Sequence, residues 1–197
     1  MTPALKLSTV QDLLALDSDA RVELVDGQLV PKPEANARHG KAQSTLARDV
    51  GGPFEDGFGG GPGGWWILTE TLVQLAHQVY RPDIAGWRRE RLPDPAAHTP
   101  IQVVPDWVCE ILSPGAANAR RDRVHKREAY ARAGVQHYWL VDPDARVLEA
   151  LALDAGSWRE CGAWDEDAHA AHIPPFNAVA LDIGRFFLPA PTETPDL

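Results

Sequence analysis

The sequence predicts an α/β fold whose core elements follow one another as helix, three strands, helix and strand. The prediction depends on hydrophobic periodicity, which changes between helical spacing and strict alternation along the chain. In chain order the six segments are 36–50, 65–76, 79–87, 103–112, 119–133 and 135–142. Strands alternating with helices are typical of mixed α/β domains, and no internal repeat interrupts the pattern.

An N-terminal helix and a hairpin are expected before this core. Ser8 and Thr9 can cap a short helix that reaches Leu16. The stretch 21–30 contains two alternating runs joined by Asp26-Gly27. Asp-Gly is a strong hairpin signal because both central positions of the turn need positive φ.

The core segments have clear stop and bend signals. The first helix is expected to end at Gly51-Gly52-Pro53 and the second at Gly134, since glycine is the preferred residue after a helix. Pro82 lacks an N–H for a sheet ladder, so it should bend the chain or mark a strand edge next to Asp83.

Extra C-terminal strands are predicted beyond the core. The runs 146–153 and 158–164 have strand character, and a loop is expected over 165–175. The segment 179–188 should pack back on the sheet, and 189–197 is expected to be a flexible tail.

Length and composition indicate a single domain, which we place at 1–188. A chain of 197 residues, 44% of them hydrophobic, can bury a sizeable core. Its apolar runs are far shorter than the roughly 20 residues of a spanning helix, so we expect no membrane partner and a cytoplasmic location. Cys109 and Cys161 are too isolated for a zinc site or a disulfide framework and are interpreted as packing residues.

The net charge restricts how the chain can contact nucleic acid. A formal charge of -9 with a pI of about 5.2 argues against coating nucleic acid through the overall field. Positive charge is clustered at Arg88, Arg89 and Arg91 and again within 120–132. Any contact with DNA is therefore expected to be local, although each cluster also fits an ordinary solvated face.

Glu110 stands out because it lies in an apolar strand. Val108 and Leu112 flank it on the same strand face, while Trp107, Cys109 and Ile111 point to the opposite face. A buried carboxylate must be paired, hydrogen-bonded or bound to a metal, because a bare charge in a low-dielectric interior is costly. Glu110 is therefore predicted to meet other functional groups.

Asp83 and Lys126 are the candidate partners of Glu110. The two acids belong to adjacent predicted strands, and their oxygens are the hard ligands that Mg²⁺ or Mn²⁺ prefers. Lys126 belongs to the helix that follows the strand of Glu110. Its ammonium could orient a water molecule or stabilise charge that develops on a phosphate. The alternatives are a turn-capping role for Asp83 and a surface pair of Lys126 with Asp122.

Several motifs in the same order resemble one known family. They are Glu23 to Gly27, Arg81 to Ile84, Pro105 to Pro114, Asp122 with Lys126 and Tyr130, and Gly134 to Asp142. Together they resemble the Uma2 family of restriction-endonuclease-like proteins, within the PD-(D/E)xK nuclease superfamily. The resemblance implies a restriction-endonuclease-like core and a metal-dependent endonuclease acting on DNA. It also makes a homodimer plausible.

One departure from the superfamily pattern concerns the lysine. Leu112 stands two residues after Glu110, where the superfamily has its strand lysine. Resemblance to Uma2 implies that the lysine has moved to the following helix, as Lys126. Asp83, Glu110 and Lys126 are then the catalytic residues, and the backbone carbonyl of Ile111 is a third metal ligand beside the two acids.

Accessory roles are expected for a few residues near the same site. Glu23 is either an additional acid of the site or an ordinary hairpin residue, and His39 either reaches the site or is structural. Asp122 and Tyr130 share a helix face with Lys126 because they are spaced four residues apart. His169 and His172 lie in a predicted loop with no third ligand, and we do not expect them to bind metal.

Two alternative functions remain open from the sequence. The acidic charge and the missing strand lysine suit a non-catalytic module that binds nucleic acid or protein on the same fold. An acidic exterior also suits a phosphodiesterase acting on RNA or small nucleotides.

Overall fold

The structure is a computed structural model that describes residues 7–17, 20–113 and 121–189, without the side chains of 121–123. Three of the predictions lie outside this part of the chain. They concern the start of the second core helix at 119–120, the side chain of Asp122, and the tail beyond Pro189.

The described elements follow the predicted chain order closely. The helices are α1 (Val10–Leu14), α2 (Ala37–Phe54) and α3 (Arg127–Ala133), with a π-helical segment (Arg121–Lys126) leading into α3. The strands are β1 (Val22–Val25), β2 (Gln28–Pro31), β3 (Trp65–Thr69), β4 (Val73–Leu75), β5 (Gln78–Tyr80), β6 (Ile84–Arg88), β7 (Trp107–Ile111), β8 (His137–Asp142), β9 (Val147–Asp154) and β10 (Ser157–Asp165). Short 3-10 helices cover Phe58–Gly60 and Ile183–Phe186.

Six strands form the larger sheet, in the order β10-β9-β8-β7-β6-β3. Its strands β7 and β8 are parallel, and the other neighbours are antiparallel. The parallel pair requires a crossover, and α3 lies within it. The α/β fold has the predicted core order as α2, β3, β6, β7, α3 and β8, with β4 and β5 inserted between β3 and β6.

A smaller antiparallel sheet, β2-β1-β5-β4, corrects two of the predicted strands. The segments 65–76 and 79–87 do not form single strands, because each divides between the two sheets. The first divides at Glu70, whose φ of 53° is left-handed. The second divides at Arg81 and Pro82: the N–H of Arg81 donates to the Glu23 carboxylate at 2.9 Å, and proline has no N–H to donate.

Both core helices have boundaries set by local chemistry. Helix α2 begins after Asn36, whose side chain accepts from the N–H of His39. It runs past the predicted stop to Phe54, because Val50 and Phe54 bury the same face against the core. Helix α3 ends at Gly134, whose φ of 86° is the left-handed cap that the sequence predicts.

The two faces of the larger sheet bury separate apolar clusters. One contains Trp107, Cys109 and Ile111 of β7 with α2 and the C-terminal segment, including Phe176. The other contains Val108 and Leu112 with Tyr130 of α3. The predicted alternation of β7 and the return of 179–188 to the sheet are therefore both confirmed.

Among the residues that the structure describes, no helix combines the length and apolar character needed to cross a bilayer.

Replacing Trp107 by alanine is expected to destabilise the fold strongly. Trp107 has no exposed surface, and its ring packs edge-on against Trp139 and Phe176 at centroid distances of 5.1 and 4.7 Å. Truncation of a buried aromatic side chain costs about 3–5 kcal/mol. Urea denaturation should measure a loss of this size, whereas Phe58→Ala, at a side chain 69% exposed, should change the free energy of unfolding by less than about 0.5 kcal/mol. Equal losses for the two variants would contradict the packing described.

Candidate active site

The acid in the central strand is fully enclosed by the fold. Glu110 lies on β7 with 1% of its surface exposed. Its Oε1 accepts a hydrogen bond from the Tyr130 hydroxyl at 2.6 Å and lies 3.1 Å from the Nζ of Lys126. The helix that follows β7 therefore delivers a cation and a hydroxyl to this carboxylate, on the sheet face that the alternation of β7 predicts.

Lys126 joins two acids from different sheets. Its Nζ lies 3.0 Å from Glu23 Oε1 as well as 3.1 Å from Glu110 Oε1, and the side chain is 1% exposed. Glu23 comes from β1 of the smaller sheet and is also buried. The structure therefore brings Glu23, Glu110, Lys126 and Tyr130 into one cluster, and their chemical roles stay predictions.

Asp83 lies immediately before β6 and beside the end of β7. Its Oδ2 accepts the backbone N–H of Ile111 at 2.6 Å, which places it next to the residue that follows Glu110. His39 Nε2, from the first turn of α2, lies 3.2 Å from Asp83 Oδ1. Both Asp83 and His39 are buried. The carbonyl of Ile111 as a third metal ligand stays a prediction.

A second lysine, which sequence reasoning missed, contacts Asp83. Lys32 follows β2, is 8% exposed, and places its Nζ 2.7 Å from Asp83 Oδ1. The same Nζ contacts both carboxylate oxygens of Glu70 at 3.1 Å. The only sequence signal was the position of the lysine between two prolines, directly after the hairpin. Glu70 lies within 65–76, which alternation predicts as one continuous strand, so no local signal marks it.

The charged groups of the site set one another's protonation. Burial alone would raise the pKa of Asp83, but Lys32 and then His39 outweigh it and hold that pKa well below its usual range. Burial opposes the charge of Lys32, yet Asp83, Glu110 and Glu70 together raise the pKa of Lys32 above its ordinary value. Asp83 and Lys32 are therefore a charged pair at neutral pH.

Tyr130 is kept protonated by the same surroundings. Burial first, and then the carboxylates of Glu110 and Glu23, raise the pKa of Tyr130 well above its usual value. The phenol therefore remains a hydrogen-bond donor to Glu110 throughout the neutral range.

The donor set suits a hard divalent cation in its chemistry. Asp83 and Glu110 offer buried carboxylate oxygens at the ends of adjacent strands, the ligand type that Mg²⁺ and Mn²⁺ bind. Lys32 contacts Asp83 and Lys126 contacts Glu110, so each buried carboxylate has a positively charged partner. Within the described ranges, no three His, Cys, Asp or Glu side chains are grouped to hold a metal.

Comparison with solved structures identifies the class of fold. A crystal structure from Anabaena variabilis, described as a "putative nuclease belonging to DUF820", is similar with a TM-score of 0.69 and 20% sequence identity. The match covers 90% of this chain and 96% of that chain. The chain therefore has a nuclease-like α/β fold.

The family follows from the sequence match over most of the chain. The model of Uma2, described as "Putative restriction endonuclease", matches residues 10–184. The chain belongs to the Uma2 family. A comparison with curated proteins gave no match. Family and fold together indicate a nuclease.

The hydroxyl of Tyr130 should contribute to stability through Glu110. Tyr130→Phe removes a donor at 2.6 Å from a buried carboxylate, and we expect a loss of about 1–3 kcal/mol in the free energy of unfolding. Tyr80→Phe is the matched control, because the Tyr80 hydroxyl donates to the neutral Gln78 side chain and should cost less. Urea denaturation at neutral pH measures the free energy of unfolding of both variants. A larger loss for Tyr80→Phe would contradict a stabilising hydrogen bond from Tyr130 to Glu110.

Proposed function

We propose that the chain is a metal-dependent endonuclease that hydrolyses phosphodiester bonds of DNA. The observation that carries this proposal is the contact of Lys126 Nζ with Glu110 at 3.1 Å. A lysine on the helix after β7 thereby meets the acid of β7 although Leu112 occupies the strand position. Family membership and fold support hydrolysis of a nucleic acid.

In this proposal Asp83, Glu110 and the Ile111 carbonyl hold a single Mg²⁺ or Mn²⁺. When bound, such an ion supplies electrophilic activation of the phosphodiester and makes a water molecule more acidic. The N–H of Ile111 keeps Asp83 directed toward the end of β7 at 2.6 Å. The ligands are thereby oriented by the strand itself before any substrate arrives.

Lys126 acts as the catalytic cation in the proposal. Its ammonium, held between Glu23 and Glu110, is available to orient the attacking water or to stabilise charge that develops on the phosphate. Glu23 and Tyr130 position this pair: Glu23 holds the ammonium, and Tyr130 holds the carboxylate. Lys32 and then His39 keep Asp83 ionised, and His39 lies 3.2 Å from the Asp83 carboxylate.

DNA is the proposed substrate, and its contact should be local. The net charge of -9 gives no general attraction for a polyanion. Helix α3, which follows Lys126, presents Arg132 to solvent beside Glu128, so one exposed cation lies on the element next to Lys126. A homodimer stays a prediction from the family resemblance, and sedimentation analysis would test it.

The proposal is tested by a cleavage assay with Mn²⁺ on plasmid DNA. Glu110→Gln and Lys126→Met should each lower the cleavage rate by at least about 10²-fold, the usual effect of removing a group that stabilises the transition state. The matched controls Glu128→Gln and Lys41→Met each remove one charge of the same sign from a residue outside the cluster, and both variants should retain activity. Circular dichroism and thermal unfolding show whether each variant is folded, and Lys126→Gln, which removes the charge but keeps hydrogen-bond donors, replaces Lys126→Met if the latter is not.

The outcome also separates the alternative functions. A native protein that binds Mn²⁺ but cleaves neither duplex DNA, single strands nor RNA would be a binding module. Cleavage of RNA or small nucleotides without cleavage of DNA would reject the DNA substrate. Duplex binding should weaken steeply with salt, because phosphate contacts release counterions, whereas binding of a small nucleotide should not.

A further inference from the structure

Lys32 is a buried cation whose donors are all used. Its Nζ contacts Asp83 Oδ1 at 2.7 Å, the Arg81 carbonyl at 2.8 Å and both oxygens of Glu70 at 3.1 Å. An ammonium has three N–H donors, and three acceptor groups meet them here. Lys32 is therefore placed specifically and is not a surface lysine that happens to lie near an acid.

The backbone around Lys32 is also restrained. Pro31 and Pro33 fix φ on both sides of Lys32, and the proline that follows restricts Lys32 itself to extended conformations. The N–H of Lys32 donates to the carbonyl of Arg21 at 2.7 Å. The side chain is thus directed from the hairpin into the cluster by a stiff segment.

Glu70 holds the other side of this ammonium. Its backbone is left-handed, with φ of 53°, in a conformation that costs a non-glycine residue free energy. The N–H of Glu70 donates to the Asp83 carbonyl at 3.3 Å, and its carbonyl accepts from Arg81 Nη1 at 2.8 Å. These hydrogen bonds stabilise the left-handed backbone conformation at Glu70 and keep its carboxylate beside Asp83.

The two acids that share Lys32 differ in their surroundings. Asp83 is 1% exposed, whereas the Glu70 side chain is 25% exposed and also accepts from Arg21 Nη2 at 3.1 Å and Gln43 Nε2 at 3.2 Å. The ammonium therefore stands between a buried acid of the site and an outer acid at the rim. It can give up the inner contact and still keep an anionic partner.

We propose that Lys32 is a resident cation that competes with the divalent ion for Asp83, and that Glu70 retains its ammonium when the ion displaces it from Asp83. This inference rests on the proposed function, since it assumes that Asp83 is a metal ligand. Like charges near one carboxylate repel each other, so the ammonium lowers the affinity of the site for metal. Lys32 thereby sets the concentration of ion at which the site is loaded.

Two substitutions should move metal affinity in opposite directions. Lys32→Met removes the competing cation, and the dissociation constant for Mn²⁺ should fall by about 10-fold to 100-fold, the range typical of second-layer changes at metal sites. Glu70→Gln leaves Asp83 as the sole carboxylate in contact with Lys32 among the described residues, so the ammonium is harder to displace. The dissociation constant should then rise.

The experiment is a titration of the full chain with Mn²⁺ alone, without substrate, followed by calorimetry or by the electron paramagnetic resonance signal of free Mn²⁺. Native protein, Lys32→Met, Glu70→Gln and the double variant form a cycle. Lys41→Met is the control, since Lys41 lies on α2 two residues after His39 and makes no ion pair with a described residue. In the Lys32→Met background, Glu70→Gln should have little effect.

Each outcome decides between the two proposals. Native affinity equal to that of Lys32→Met, with Mn²⁺ bound by both, overturns the role of Lys32 and leaves the proposed function intact. Absence of binding in all proteins overturns both proposals. A purely structural role would lower the melting temperature of Lys32→Met without tightening Mn²⁺ binding, and this also overturns the inference. Should Lys32→Met not fold, Lys32→Gln removes the charge while retaining hydrogen-bond donors and must show the same tightening.

Discussion

The arrangement depends on burying the carboxylates of Glu23, Asp83 and Glu110 close to one another. An ionised carboxylate in a protein interior is tolerated only with a counter-charge or several N–H donors. Lys32 and Lys126 are buried with these acids and contact all three of them. The cluster is consequently a constraint on the fold as well as a candidate active site. The positions of its two lysines are restricted by the same contacts as those of its acids.

This constraint explains the smaller sheet. Glu23 on β1 and Lys32 after β2 reach the cluster only because the hairpin packs beside the larger sheet, through the pairing of β1 with β5. Glu70 and Pro82 are the points where the chain leaves and re-enters the larger sheet. The N–H of Arg81, which leaves the strand ladder there, donates to Glu23. The breaks in the two long strands therefore supply partners for the acids.

Lys126 reaches Glu110 because α3 and the helical segment before it pack on the sheet face to which Glu110 points. Leu112, at the strand position, is buried in the apolar cluster with Tyr130, whereas Lys126 projects its ammonium to Glu110. Tyr130 lies four residues after Lys126, so both side chains approach Glu110 from one side of the helical segment. The acid therefore lies on β7 and the lysine on the helical segment that follows it, and the two side chains are still in contact.

Alternation and turn chemistry were sufficient to determine the order of the six core elements, the two faces of β7, and the isolation of Glu110 among apolar residues, because these are local properties of the chain. Their positions on the neighbouring strand and the following helix made Asp83 and Lys126 candidate partners of Glu110, and the family motifs supported both. Lys32 and Glu70 emerged only from the tertiary structure, since Lys32 lies 51 residues from Asp83 in sequence and no local pattern links them. The bend at Pro82 was predicted because proline lacks an N–H, but the passage of the chain between two sheets, at Glu70 and again at Pro82, was decided by packing. A backbone leaves a favourable ladder only where distant groups compensate its polar atoms and charges, as Glu23, Lys32 and Asp83 do here.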